Sequence, residues 1–125
     1  MEYKLIIEEY QGQKQIHAIV TGSMDEQSRD NAIRETVAFA RKECIQRVIW
    51  DVRDTKLEYS LTGSHIVMEK LKEFGLTYTD RLAIVYKNDR LQHEHGANVA
   101  YNRYNNVTVI YDDLEAAREW LLQFK

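Results

Sequence analysis

Three apolar, β-branched runs lie far apart along the chain: Val48-Ile49-Trp50-Asp51-Val52, Leu82-Ala83-Ile84-Val85-Tyr86 and Val107-Thr108-Val109-Ile110-Tyr111. Each is too short for a buried helix, and each has the near-continuous apolar character of a strand covered on both faces. The stretches between them are long enough for a helix. Strands joined in that way run parallel through β-α-β crossovers, so this alternation limits the chain to an α/β fold.

Two further runs, Tyr3–Tyr10 and Gln15–Thr21, come first and are separated by Gln11-Gly12-Gln13-Lys14, which predicts a hairpin. Tyr3, Leu5 and Ile7 share one face of the first run, and Ile16, Ala18 and Val20 share one face of the second. Ser23 and Glu26 have capping-box spacing ahead of a helical stripe of Ile33, Val37, Ala40 and Cys44, with Cys44 expected as a small buried hydrophobe. The central strand is expected over Gln46–Arg53. A second helix is expected over Ser60–Phe74 with Gly75 as its left-handed cap, and a third over Arg90–Tyr104. Asp112 is expected to cap a fourth, carrying Leu114, Ala117, Leu121 and Phe124. The order ββαβαβαβα gives a five-stranded, mixed, mostly parallel sheet with four helices. At 125 residues, with no proline and only five glycines, residues 1–125 form one domain with no linker.

Charge and composition exclude several functions. Seventeen Lys and Arg against 20 Asp and Glu give a net charge of -3, no electrostatic platform for nucleic acid. No apolar run approaches the roughly 20 residues of a membrane span, and Met1-Glu2-Tyr3-Lys4 lacks the plan of a secretion signal, so a cytoplasmic location is expected. One cysteine excludes an internal disulfide and a cysteine-built zinc site. His93-Glu94-His95 invites a metal, but positions two apart on a helix project about 200° from each other and cannot grip one ion. These histidines are expected on an exposed helix flank, and nothing positions His17 or His65 as a further ligand. No catalytic residue, metal or cofactor is expected.

The element order, with a loop and helix start following Val48–Val52, resembles the STAS fold, the SpoIIAA-like domains of sulfate transporters and anti-sigma-factor antagonists. The closing Asp112-Asp113-Leu114-Glu115-Ala116-Ala117-Arg118-Glu119-Trp120-Leu121 is similar to the acidic, Ala, Trp-Leu ending of small bacterial members. In the antagonists an Asp-Ser-Ser-Gly stretch opens the helix after the third strand, and a kinase phosphorylates one serine. Here the stretch is Glu58-Tyr59-Ser60-Leu61-Thr62-Gly63-Ser64. Ser60 falls near the phosphorylated position, Tyr59 replaces the aspartate, Leu61 replaces the second serine, and Gly63 comes one place late.

The resemblance implies a non-enzymatic interaction or regulatory domain that binds a protein partner or a small anionic ligand near the loop after strand three. The candidate surface is Asp54, Tyr59, Ser60, Thr62, Ser64 and His65. Three hydroxyls crowd a helix N-terminus, whose free N–H groups favour an anion, although Ser60 alone also fits a plain cap. A carrier of small apolar molecules or lipids, on a fold resembling CRAL-TRIO domains, is the alternative. It needs a continuous apolar cavity, for which 125 residues leave little volume. An enzyme using Asp51 and Glu58 ranks last, since no paired acid and base is found. A homodimer is expected, because helices gathered on one sheet face would leave Tyr3, Leu5 and Ile7 uncovered.

Overall fold

The computed structural model describes residues 1–60, 63, 66, 69–95 and 106–123. Its hairpin turns where two successive residues take positive φ: Gln11 (49°) and Gly12 (83°) alone separate β1 (Glu2–Tyr10) from β2 (Gln13–Met24). Such a pair twists in the same sense as the strands it joins. The expected four-residue connection therefore contracts to two, and Gln13 and Lys14 enter the strand. The register sets Tyr3 opposite Val20, Leu5 opposite Ala18 and Ile7 opposite Ile16, so both apolar sets share one face as expected.

β2 continues to the buried Met24, which leaves Ser23 within the strand. The cap of α1 (Glu26–Glu43) passes to Asp25, whose carboxylate accepts a hydrogen bond from the Ser28 N–H at 2.8 Å. At the far end Cys44 takes a left-handed conformation (φ 57°) and is exposed, which corrects its expected burial. The helix stops before the stripe reaches it. Ala40 of the expected stripe is buried, as are Ala32 and two polar residues, Arg29 and Thr36.

With β3 (Arg47–Leu57), β4 (Arg81–Tyr86) and β5 (Val107–Tyr111), the sheet has the order β1-β2-β3-β4-β5. β1 is antiparallel to β2, and every later pairing is parallel. This is the expected mixed sheet. β3 outlasts its expected end at Arg53. It pairs with β4 only as far as Asp51, whereas its ladder with β2, irregular between Ile19 and Thr21, runs on to Leu57. Thr55 and Leu57 are buried and Asp54 and Lys56 exposed, so a period of two carries the strand onward as a two-stranded ribbon.

α2 (Leu114–Leu122) is capped by Asp113, not Asp112; the Asp113 carboxylate accepts from the Ala116 N–H at 2.9 Å. Asp112 sits in a left-handed turn at φ 41°. Of the four expected helices, α1 and α2 are continuous over the described residues. Helical backbone is also described at 63, 66, 69–70 and 90–95, and the two middle helices otherwise run into positions outside the described residues, as does Phe124. Residues 71–75 are turn rather than helix, ending at Gly75 with φ 104°.

Ala32 of α1, with Leu71, Phe74 and Leu76, packs on Ala18, Val20, Trp50, Val52 and Ile84 of one sheet face. Ala117 and Leu121 of α2 pack on Ile49, Ala83 and Val85 of the other. Tyr3 and Leu5 join the first cluster, so of the hairpin residues expected to need a partner's cover only Ile7 is exposed.

A non-glycine residue held left-handed costs on the order of 1 kcal/mol, and Cys44 buries nothing that would offset it. Cys44→Gly should therefore stabilise the fold by about 1 kcal/mol in urea unfolding. An unchanged midpoint would show that this cap is unstrained.

Candidate functional site

Where the ribbon ends, the Glu58 N–H donates to the Met24 carbonyl at 2.8 Å and the Leu57 N–H donates to Asp89 Oδ2 at 2.7 Å. Asp54 borders an open polar cleft of about 690 Å³ with Gly22, Ser23, Thr55, Lys56, Asn88 and Asp89. The Asn88 amide donates to the carbonyls of Arg53 and Thr55 at 3.2 and 3.3 Å, fixing one wall. Ser60 is exposed, and its hydroxyl accepts from the Gly63 N–H at 3.4 Å, the bond of a helix cap. Thr62, Ser64 and His65 lie outside the described residues. Tyr59 turns inward, away from the role expected of it on a surface.

What draws Tyr59 in is Arg29, which the sequence reading missed. Its side chain is 3% exposed, and a buried guanidinium must be paired to be tolerated. Nη1 donates to the Gly63 carbonyl at 3.2 Å, Nε donates to Asp30 Oδ1 at 2.9 Å with Nη2 in ion-pair contact with the same oxygen at 2.8 Å, and the guanidinium lies 4.5 Å from the Tyr59 ring centroid. Burial raises the pKa of the Tyr59 hydroxyl, and the Arg29 charge works against that rise. Gly63 is needed for this closeness. A Cβ there would stand 2.6 Å from Glu26 Oε1 and 3.1 Å from the Tyr59 side chain. The available signal was a charge four residues before Ile33, on the apolar stripe itself.

Under Tyr59 lies a partly open apolar cavity of about 60 Å³. Arg29, Ile33, Thr36 and Val37 line it from α1, and Val48, Trp50, Leu82 and Ile84 line it from the sheet. Its remaining wall includes His93, which is 8% exposed and stacks on Tyr86 with ring centroids 5.1 Å apart. This corrects the expected exposed flank. Burial lowers the pKa of the histidine to about 4, against an opposing pull from Asp89.

The opposite face holds a chain of charges. His17 Nδ1 contacts Glu8 Oε1 and His17 Nε2 contacts Asp51 Oδ2, each at 2.9 Å. Both are hydrogen bonds only when both ring nitrogens carry protons. Arg53 donates to both oxygens of Asp51 at 2.9 Å, and Arg118 of α2 reaches Glu8 at 3.1 Å. Burial would raise the Asp51 pKa, yet the bonds from His17 and Arg53 win and hold it well below the usual carboxylate range. With His17 5% and Asp51 4% exposed, this constellation is sealed away from both the cleft and the cavity. Among the described residues, no three His, Cys, Asp or Glu side chains are grouped so as to hold a metal, and no helix is long and apolar enough to cross a membrane.

No family model matches the chain, and no curated protein matches its sequence. Its architecture is the SpoIIAA-like fold of STAS domains. An uncharacterised DUF3478-family protein from Shewanella loihica PV-4, itself of SpoIIAA-like fold, is similar with a TM-score of 0.62 at 17% identity, over 95% of this chain and 93% of that one. The anti-sigma factor antagonist SpoIIAA in its unphosphorylated form gives 0.54 at 12% identity, over 95% and 98% of the two chains. The Bacillus cell fate determinant SpoIIAA in its phosphorylated form gives 0.57 at 13%, over 96% and 99%. At such identities the likeness establishes the fold.

The His93 shift has a definite sign. Unfolded, the imidazole titrates near 6.5, and folded, near 4, so the unfolded chain binds the proton more readily in between. Its stabilising contribution is complete above pH 6.5 and falls by about 1.4 kcal/mol per unit down to pH 4, roughly 3 kcal/mol in all. Asp51, with its depressed pKa, adds a separate loss only below about pH 4. Unfolding free energies from pH 7 to 4 should show the first slope in the natural chain and lose it in His93→Gln; an equal slope in both would remove His93 as its source.

Proposed function

We propose that this chain is a non-enzymatic regulatory domain that binds a protein partner where β3 leaves the sheet, at Asp54, Lys56 and Ser60. The observation carrying this reading is the open polar cleft at the carboxyl ends of the parallel strands, the place where open α/β sheets receive ligands. The fold shared with an anti-sigma factor antagonist solved in phosphorylated and unphosphorylated forms supports a partner-binding role. Asp54 and Asp89 against the single Lys56 favour a partner offering basic or amide groups over a free anion. Catalysis finds little support. The Asp51 carboxylate is engaged by His17 and Arg53, and Glu58 lies seven residues onward, about 20 Å along extended chain.

The Ser60 hydroxyl already has a capping bond, which favours steady binding over phosphorylation-driven switching. A photo-crosslinker at position 54 should capture one protein that the same group at Gln123 on the α2 end does not. Ser60→Ala should lower stability by about 1 kcal/mol as a lost cap and leave capture intact. Ser60→Asp should preserve both, because a carboxylate also caps. Capture lost in Ser60→Asp with stability held would make Ser60 a phospho-switch; equal capture from both crosslinker positions would overturn the surface.

The reading places the protein in the cytoplasm and as a homodimer. Ile7 and Tyr111, exposed on the two edge strands, are among the apolar contacts open to it. Light scattering should give twice the 14.8 kDa chain mass, and a value at the chain mass would exclude the dimer.

A further inference from the structure

β1 ends the sheet, and its nine residues pair with β2 without a break in register. The chain has no proline and this ladder has no bulge, so neither of those two devices blunts the edge. The turn decides which backbone groups of β1 are free. Tyr10 and Gln13 flank a two-residue turn, so they exchange hydrogen bonds with each other, and bonding pairs alternate from there along the ladder. Even-numbered residues of β1 therefore bond to β2. Tyr3, Leu5, Ile7 and Glu9 turn their N–H and C=O groups outward, where no strand among the described residues meets them. An edge of this length with open donors and acceptors is a template for another strand.

We propose that a second copy of the chain docks on this edge, β1 against β1, antiparallel about Ile6, so that the two five-stranded sheets become one. This rests on the homodimer reading above and names the surface that forms it. Hydrogen bonding comes first. A register centred on Ile6 sets Tyr3 against Glu9 and Leu5 against Ile7, and both pairs recur by symmetry, so every outward residue of each strand is used. Centring on Leu5 or on Ile7 leaves one outward residue with no counterpart inside β1. Centring between two residues sets outward groups against groups already bonded to β2. Charge comes second. The Ile6 register places the exposed Lys4 opposite Glu8 of the second copy, twice, at non-hydrogen-bonded positions where facing side chains come closest. The Glu8 side chain, held by His17 and Arg118, is still 30% exposed and open to that ammonium. Centring on Leu5 would instead set Glu2 against Glu8, a repulsive pair. Apolar contact comes third. Ile7, 40% exposed, gains Leu5 of the second copy as its neighbour. The same charges that deter a strand of arbitrary sequence thus select this one. The opposite edge, β5, has five residues against nine and offers a shorter ladder.

The test uses the full chain, with mass from light scattering and amide hydrogen exchange from 1H–15N spectra. At twice the chain mass, the amides of Tyr3, Leu5, Ile7 and Glu9 should exchange as slowly as those of Lys4, Ile6 and Glu8, which the ladder to β2 already protects. Lys4→Glu turns two attractive cross-strand pairs into repulsive ones and should raise the dissociation constant about tenfold. Lys4 is exposed, so that variant keeps its fold, and the exchange pattern of the natural chain is read without any substitution. A doubled mass with those four odd-numbered amides exchanging freely, or a dissociation constant unchanged by Lys4→Glu, would overturn this interface and leave the homodimer to another surface. A mass of 14.8 kDa at every concentration would remove both.

Discussion

The parallel ladder between β2 and β3 positions nearly everything else. It runs from Ile16 opposite Val48 to Met24 opposite Leu57, well past the point where β4 stops. Because both strands persist together, the start of α1, one residue beyond β2, is brought beside the chain that leaves β3. The Glu58–Met24 backbone bond closes that junction. Had β3 ended with β4 at Asp51, Arg29 would have no Gly63 carbonyl or Tyr59 ring to meet, and the cavity would lose its lid. The cleft at Asp54 comes from the same overhang, since its walls are the projecting ribbon on one side and residues 88–89 on the other.

The two faces of the sheet use different chemistry to hold that ladder in place. On the face of α1 the contacts are apolar and tolerant of small shifts. On the face of α2, His17 spans from Glu8 on β1 to Asp51 on β3, and Arg118 binds the same Glu8 from the helix. Removing one member of a buried charged set costs far more than replacing the set with apolar groups, so such a chain enforces register more than it adds stability. A one-residue slip of β2 would turn His17 into the apolar core and Ala18 onto its partners. The burial of His17 and Asp51 and the depressed pKa of Asp51 fit that structural duty.

Much of this was legible in the chain. The continuous apolar runs at Val48, Leu82 and Val107 announced the parallel strands, because burial on both faces leaves that mark on sequence. The hairpin faces followed from period two. Boundaries were harder. Ser23 and Asp112 are good caps by composition, but strand pairing reached Met24 and a left-handed turn took Asp112, so Asp25 and Asp113 capped instead. The stretch from Asp54 onward looked like loop because charge masks alternation, although Thr55 and Leu57 kept the period. The site was least legible. Arg29 is a charge on an apolar stripe and His93 lies in a segment with no apolar periodicity, and only the tertiary structure shows that each is buried.

Tyr59 links the candidate surface to the interior. Its backbone belongs to the segment that carries Ser60 on the surface, while its ring stacks on Arg29 and walls the cavity. The ring cannot shift without disturbing either the Arg29 stack or the Gly63 approach, where a hypothetical Cβ already meets it at 3.1 Å. The interior and the surface of this fold thus meet at one aromatic side chain, held by Arg29 on one side and by the Gly63 approach on the other.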